Sequence, residues 1–498
     1  MPEISNFISG VKRFLSEAYN SEFTFSTELV ILENEYERKG SSRLMKRIDF
    51  ENGTVTGNIL GAALPMLVAQ ILNLLYNIVD RIYIARIPGC GTAALGAVGL
   101  CFPLIVILSA FANLFGSGGA PLFSIYRGKK ETEQANRIMH TSFTMVCVSA
   151  ILLMTIGLVF ARPLLVLFGA SGDALVYAYP YMMLYLIGTL PSMIAVGMNP
   201  FINAQGYSLV GMCSVAIGAA ANLLLDPLFI FVFGLGVQGA AVATVLSQLL
   251  SASFVLLFLT KKAELKVRFL RKAEFSQCIG YAKNIVSLGT SGFVMQLTNS
   301  LVTICCNNVL SVTGGDIYIS VMTIVSSVRQ LVETPIYAIT EGTSPILSYN
   351  YGAKNGDRVK KAFRLLLTAS LCYSTLLWAF IMLFPQVFAE MFTSDSALLG
   401  FTKSALRIYC ACLLLFGIQI ACQMAFTSFG KAKASIAVAV TRKFILLLPL
   451  IYLLPHILTG DKTNAVYMAE PIADFLAVSF TTVLFTFQFR KVLKELEG

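Results

Sequence analysis

Pro121-Leu-Phe-Ser-Ile-Tyr-Arg-Gly-Lys-Lys130 is answered in the second half of the chain by Pro345-Ile-Leu-Ser-Tyr-Asn-Tyr-Gly-Ala-Lys354, with proline, serine, glycine and the final lysine in register. Each motif closes a long apolar run. Gln70 and Asn73 in the first apolar run likewise have counterparts, Gln296 and Asn299, in the seventh. Similar apolar helices arise by chance, but a shared polar loop motif does not readily do so. The chain therefore reads as two homologous halves of equal orientation. Parallel repeats of this kind place a binding site at the interface between the halves of a membrane carrier.

Working outward, the apolar runs arrive regularly, near 57–84, 93–125, 138–162, 176–200, 207–233 and 237–260, then 283–312, 316–348, 362–390, 402–428, 433–456 and 465–488. Each is long enough for the roughly 20 helical residues that cross a bilayer core. Composition agrees: 56% of the 498 residues are apolar and 13% charged, and the mean hydropathy is +0.74. A soluble domain carries about 25% charged residues, so this stock cannot clothe a water-facing surface. The predicted fold is all-α and integral to the membrane, with twelve transmembrane helices in two pseudo-symmetric six-helix lobes around a central cavity. The boundaries are an amino-terminal extension over 1–55, an N-lobe over 56–260, a basic connector over 261–282, a C-lobe over 283–488 and a tail over 489–498.

The net charge of +10 belongs to the loops and does not favour nucleic acid. Arg127, Lys129, Lys130 and Arg137 follow the second run, Lys261 to Lys272 fill the connector, and Lys354, Arg358, Lys360 and Lys361 follow the eighth. Basic loops stay cytoplasmic, which places both termini and the connector inside, in a cell membrane crossed many times. Residues 1–55 lack a cleavable leader pattern. Phe7 to Phe14 suits a short amphipathic helix or disorder, and Met45 is an alternative start. The 11 cysteines contain no CxxC pair, and the two histidines, His140 and His456, are far apart. No metal site, resident cofactor or histidine-based catalytic set is expected, and the chain has no GxxxxGK[ST] for a nucleotide. An integral-membrane enzyme, the competing class, lacks its chemistry here.

Ionisable groups inside a span are costly and need a partner or a task. Gln70, Asn73, Asn77 and Asp80 lie at i, i+3, i+7 and i+10, on one helix face. Asn222 and Asp226 share a face of the fifth span, as do Thr244 and Gln248 in the sixth. Two carboxylates, an amide and a hydroxyl form either a proton-sharing pair or an oxygen cage for a small cation. Competing readings are a buried structural network and a hydrogen-bond zipper capped by Asp80 with Arg81. In the second half, Arg329 and Glu333 are expected to pair with each other, and Arg442 with Glu470 and Asp474, as structural ion pairs. Glu341 reads as a loop-end residue. Tyr76, Tyr181, Met183, Gln296, Asn299, Tyr337 and Met424 are candidates to line a substrate cavity.

Together these residues resemble the multidrug and toxic compound extrusion (MATE) family, in its MepA-like branch. The likeness covers nearly everything after residue 48. It rests on Pro65 with Tyr76-Asn-Ile-Val-Asp80, Pro121 to Gly128, Ala204-Gln-Gly206, Asn222-Leu-Leu-Leu-Asp-Pro227, Gly234 to Thr244, Tyr351-Gly-Ala-Lys354, Arg442, Pro449 and Pro471-Ile-Ala-Asp474. It implies two lobes around a V-shaped cavity and efflux of small organic, often cationic compounds in exchange for H+ or Na+. The chain is expected to act as a monomer. The family's cation-coupling residues fall on Asp80, Asn222, Asp226 and Thr244, and its helix-bending proline on Pro65. NorM-like members carry acidic ligands in the seventh and tenth spans. Here those spans offer Gln296, Asn299 and Gln423, so a C-lobe sodium site of that kind is not expected. Gln205 departs from a basic residue found in many relatives. A flippase-like exporter of lipid-linked saccharides is the alternative on the same architecture. It calls for a strongly cationic lumen, whereas Arg329 and Arg442, within C-lobe spans, are expected to be paired with carboxylates.

Overall fold

The computed structural model describes residues 47–497 apart from 171, 272–273, 394 and 459–460. The amphipathic segment and the alternative start at Met45 lie outside them. The folded body begins at Ile48. Phe50 is buried in a hydrophobic cluster with Tyr349 and Phe363, so the seven residues before the first helix belong to the body and not to an extension.

Among the described residues the regular structure is all helical. The first lobe contains α1 (Val55–Ala85), α2 (Gly91–Gly128), α3 (Thr132–Leu167), and α4, bent between Gly172–Ile187 and Thr189–Ala204. It ends with α5 (Ser208–Val232) and α6 (Gly236–Lys262). The second lobe contains α7 (Phe275–Thr313), α8 (Asp316–Gly352), α9 (Gly356–Leu383), and α10, bent between Ser396–Tyr409 and Phe416–Ser428. It closes with α11 (Ala432–Ile457) and α12 (Lys462–Glu497). Nine of these helices are long and apolar enough to cross a membrane, and the two bent pairs bring the number to 11. The remaining one is α8, which at 37 residues has the length but carries too many polar side chains along one face.

The two lobes repeat each other in detail. The fourth helix of each is bent, by 57° in α4 and 46° in α10. The fifth helix of each contains a π-helical turn, Leu228–Val232 in α5 and Thr441–Leu447 in α11. Such turns insert a residue into the i→i−4 ladder and often mark functional sites. Lys130 and Lys354, the last residues of the two repeated motifs, are the non-glycine residues with left-handed backbone among the described residues, at φ 64° and 54°. An L-residue pays roughly 1–2 kcal/mol for that conformation. The same unusual turn at matched positions shows that the motifs are structural equivalents.

Glycine sets how the lobes touch. A side chain at Gly128 of α2 would strike the Tyr349 carbonyl of α8, and one at Gly352 of α8 would strike the Ile125 carbonyl of α2. Gly118 of α2 lies against α7 at Ile285 and Gly289 in the same way, and Gly342 of α8 against α1 at Ala62 and Ala63. Small residues permit such close backbone approach inside membranes. All four contacts fall in the halves of the helices nearest the basic loops. The first turns of α1 accordingly enter the core of the second lobe, through Val55, Ile59 and Ala62. Ile285 of α7 enters the core of the first.

A polar layer covers this closed end. Glu51 pairs with Lys130 and accepts the Tyr349 hydroxyl at 3.0 Å. Lys130 holds the exposed Glu51 carboxyl below its ordinary value of 4.5. Arg358 donates to the carbonyls of Phe50 and Gly53 at 3.0 and 2.7 Å. The connector is held by Gln205, whose amide exchanges hydrogen bonds with the backbone of Leu265 at 2.9 and 3.2 Å. A buried glutamine there does a job no basic side chain could, since it must both donate and accept.

Candidate functional site: two polar centres beside an interlobe cleft

Helix α1 has two exposed faces. Leu60, Leu64, Val68, Ile71, Leu75, Ile78 and Ile82 are exposed on one, which suits lipid. Asn73 and Asn77 are exposed on the other, roughly opposite at 3.6 residues per turn. Lipid cannot satisfy amides, so the second face borders a water-accessible cleft. The polar stripe of α1 thus lines the space between the lobes, as its spacing predicts. Pro65 lies inside a continuous helix below it.

At the far end of the stripe, Asp80 meets α5. Its carboxyl neighbours that of Asp226, which is fully buried. Asn222, one turn earlier on α5, donates to Asp226 Oδ1 at 3.1 Å and reaches Thr244 Oγ1 on α6 at 3.5 Å. Asp226 precedes Pro227 and the π turn. The side chain therefore sits where the helical ladder is already interrupted. The four residues expected to meet do meet.

The centre has more acceptors than donors. Asp80 Oδ1, Asp226 Oδ2 and Asn222 Oδ1 are buried with no hydrogen-bond partner, as is Gln248 Oε1 one turn beyond Thr244. Gln248 donates to the Tyr185 hydroxyl at 3.4 Å. Arg81 does not cap Asp80. It lies 5.6 Å from the Phe102 ring centroid, and neither aspartate forms an ion pair with lysine or arginine among the described residues. Two carboxylates in this relation repel unless a proton or metal cation lies between them. The donor set, oxygen throughout, fits a hard cation or a proton.

The second lobe holds a different centre. Arg329 Nε donates to Glu333 at 2.6 Å, and its Nη2 reaches Asp474 at 2.9 Å and Glu470 at 3.3 Å. Arg442, in the π turn of α11, contacts Asp474 at 2.7 Å and Glu470 at 3.1 Å. The two expected pairs are in fact one cluster, because α8 packs close enough to α12 for Arg329 to share both acids. Each of the three carboxylates thus has an arginine partner, and Glu470 and Asp474 have both. Both guanidinium groups lie 5.5 Å from the Phe416 ring centroid.

The cavity candidates divide. Tyr181 and Met183 pack into the first lobe's hydrophobic core. Tyr181 stacks on Tyr185 with centroids 6.2 Å apart, so it walls the aspartate centre and does not face the cleft. Tyr76 is half-buried beside Tyr185. Gln296 accepts from Asn113 of α2 across the lobes at 3.2 Å, and Asn299 is exposed on α7. Tyr337 is half-buried with its ring edge-on to Phe416, centroids 6.1 Å apart. Met424 is half-buried on α10.

Glu341 is a correction. It is not at a loop end but inside α8, where it accepts from Gln70 Nε2 of α1 at 3.3 Å. Sequence reasoning also missed the face it belongs to. Thr323, Ser327, Gln330, Thr334, Tyr337 and Glu341 recur at alternating steps of four and three, and all are partly or fully exposed. That periodicity was available from the residues alone, but Gly342 and Pro345 drew attention to a break that α8 does not have.

A two-lobe helical body that crosses the membrane and encloses a polar cleft, with uncompensated acids in one lobe, defines a membrane transporter. The family model described as MatE matches residues 65–228 and 292–453, and the chain belongs to that family of transporters, which are not enzymes. The multidrug export protein MepA of Staphylococcus haemolyticus is 23% identical over 86% of this chain and 94% of its own length. The FAD transporter of Shewanella oneidensis is 28% identical over 84% and 91%. The outward-facing structure of a multidrug resistance MATE transporter of the MOP superfamily superposes with a TM-score of 0.82 at 24% identity, covering 90% of this chain and 99% of that one.

Proposed function

We propose that the protein is a secondary antiporter that exports small organic cations and is driven by protons or sodium ions binding at Asp80, Asp226, Asn222 and Thr244. The observation that carries this reading is the meeting of two carboxyls from different helices with no lysine or arginine ion pair among the described residues. Binding of a cation there removes their repulsion and lets α1 draw toward α5. Loss of the cation reverses this, so occupancy biases the width of the cleft. With the basic loops in the cytoplasm, the closed end is cytoplasmic and the cleft opens outward. Substrate would be released from this state, in a bacterial cell membrane, by a chain that works as a monomer. The MepA relatives, named as multidrug exporters, support a broad organic substrate range. The saccharide-flippase alternative is not favoured, since Arg329 and Arg442 are engaged by carboxylates and offer no free cationic wall.

The test is ion-driven efflux of ethidium, a permanent cation, from proteoliposomes with an imposed proton or sodium gradient. Wild type should export it with one of the two gradients. The Asp80→Asn, Asp226→Asn double variant should fold and not respond to either. Transport that persists in the double variant would remove the coupling assignment.

A further inference from the structure

The floor of the cleft holds a carboxylate for which the coupling centre has no use. Glu341 lies beside Gly342, at the point where α8 touches the backbone of α1, and is half-buried. Its hydrogen-bond partner is the neutral amide of Gln70, and it forms no ion pair among the described residues. The rest of its face offers little competition. Thr323, Ser327 and Thr334 donate to carbonyls one turn back on their own helix, at 3.0, 2.8 and 2.8 Å, as hydroxyls in helices commonly do. Between Thr323 and Glu341, Glu341 is therefore the formal charge on this face of α8, with the Tyr337 ring one turn above it.

We propose that Glu341 and Tyr337, with Gln70 opposite, form the subsite that recognises the charged centre of an organic monocation at the floor of the cleft. This rests on the export of cations argued above and names the group that selects them. An uncompensated carboxylate supplies attraction in a partly desolvated setting, where it is far stronger than in water. The adjacent ring adds a cation–π contact for flat or quaternary groups. The amide of Gln70 keeps the carboxylate oriented and ties the subsite to both lobes, so a bound cation touches the two elements whose separation defines the cleft. Asp80 lies ten residues along α1 from Gln70, about 15 Å at 1.5 Å per residue. Substrate and coupling ion thus occupy opposite ends of one polar stripe.

The experiment uses the purified full-length protein in detergent and two fluorescent probes, ethidium and uncharged Nile red. Glu341→Gln should weaken ethidium binding roughly tenfold or more and leave Nile red within about twofold, while Glu341→Asp should stay close to wild type for both. Retained Nile red binding reports that the variant is folded. Unchanged ethidium binding in Glu341→Gln would overturn the subsite, and so would equal loss of both probes, which would make the Gln70 contact a structural latch. Ethidium efflux by wild type is measured in parallel. Its absence would sink the export reading itself, whereas efflux that is normal in Glu341→Gln would sink only the subsite.

Discussion

The two lobes share a backbone plan and treat buried charge in opposite ways. In α5 the π turn follows Asp226, which has an amide and another carboxyl for neighbours. In α11 the equivalent turn carries Arg442, bound to two acids. The same irregularity has been filled with opposite charge. The second lobe neutralises its charges within the protein, so that centre serves to hold α8, α11 and α12 together. The first holds two acids that form no ion pair among the described residues, which the proposed function assigns to an exchangeable cation. A buried charge with its partner in place is structure, and one whose partner is missing is the better candidate for function.

Breaking the balanced centre should have the largest effect. Arg442→Ala leaves Glu470 and Asp474 without one of their two arginines and should cost about 3–5 kcal/mol. The readout is loss of monodisperse protein on size exclusion and a much lower thermal midpoint. The matching change in the other lobe should behave differently. Asp226→Asn removes a like charge, so the midpoint should hold or rise, while ion-driven efflux falls to the protein-free background. Equal destabilisation by both substitutions would erase the contrast between the lobes.

The symmetry itself can be tested through the glycine contacts. Gly128→Val and Gly352→Val should each cost about 1–3 kcal/mol in thermal unfolding, because each forces a side chain into a carbonyl of the other lobe. Similar costs at the two sites would confirm that the crossings are equivalent. The smallest effect belongs to the exposed layer. Lys130→Met should change stability by less than about 1 kcal/mol, and less still in high salt. Glu51 has its carboxyl held below 4.5 when folded, so its pairing contributes fully above that value and is lost as pH falls through the depressed one. The difference between Lys130→Met and wild type should therefore vanish in acid.

The sequence carried the fold well because membranes impose strict rules. Twelve apolar runs, basic loops and the repeated Pro…Lys motif were enough to draw two lobes. The residues of the proposed coupling centre were legible too, since Asp80, Asn222, Asp226 and Thr244 stand out as polar residues on apolar helices. What periodicity could not supply was contact between helices distant in sequence. Nothing local says that Arg329 reaches Asp474, or that Gln70 faces Glu341. Tyr181 was misplaced for a related reason: an aromatic looks the same in a packed core as on a cavity wall. Glu341 was misread because α8 runs through Pro345, where proline suggested an end.

The central claim is that ion exchange resides in the aspartate centre alone. It is tested most directly by counting the protons or sodium ions that the purified protein releases or takes up when ethidium binds. Wild type and a C-lobe variant that keeps its charge balance, Arg329→Lys, should exchange the ion alike, and Asp80→Asn, Asp226→Asn should exchange none. An undiminished exchange in the aspartate double variant, with loss in Arg329→Lys, would place the coupling in the other lobe and contradict the account.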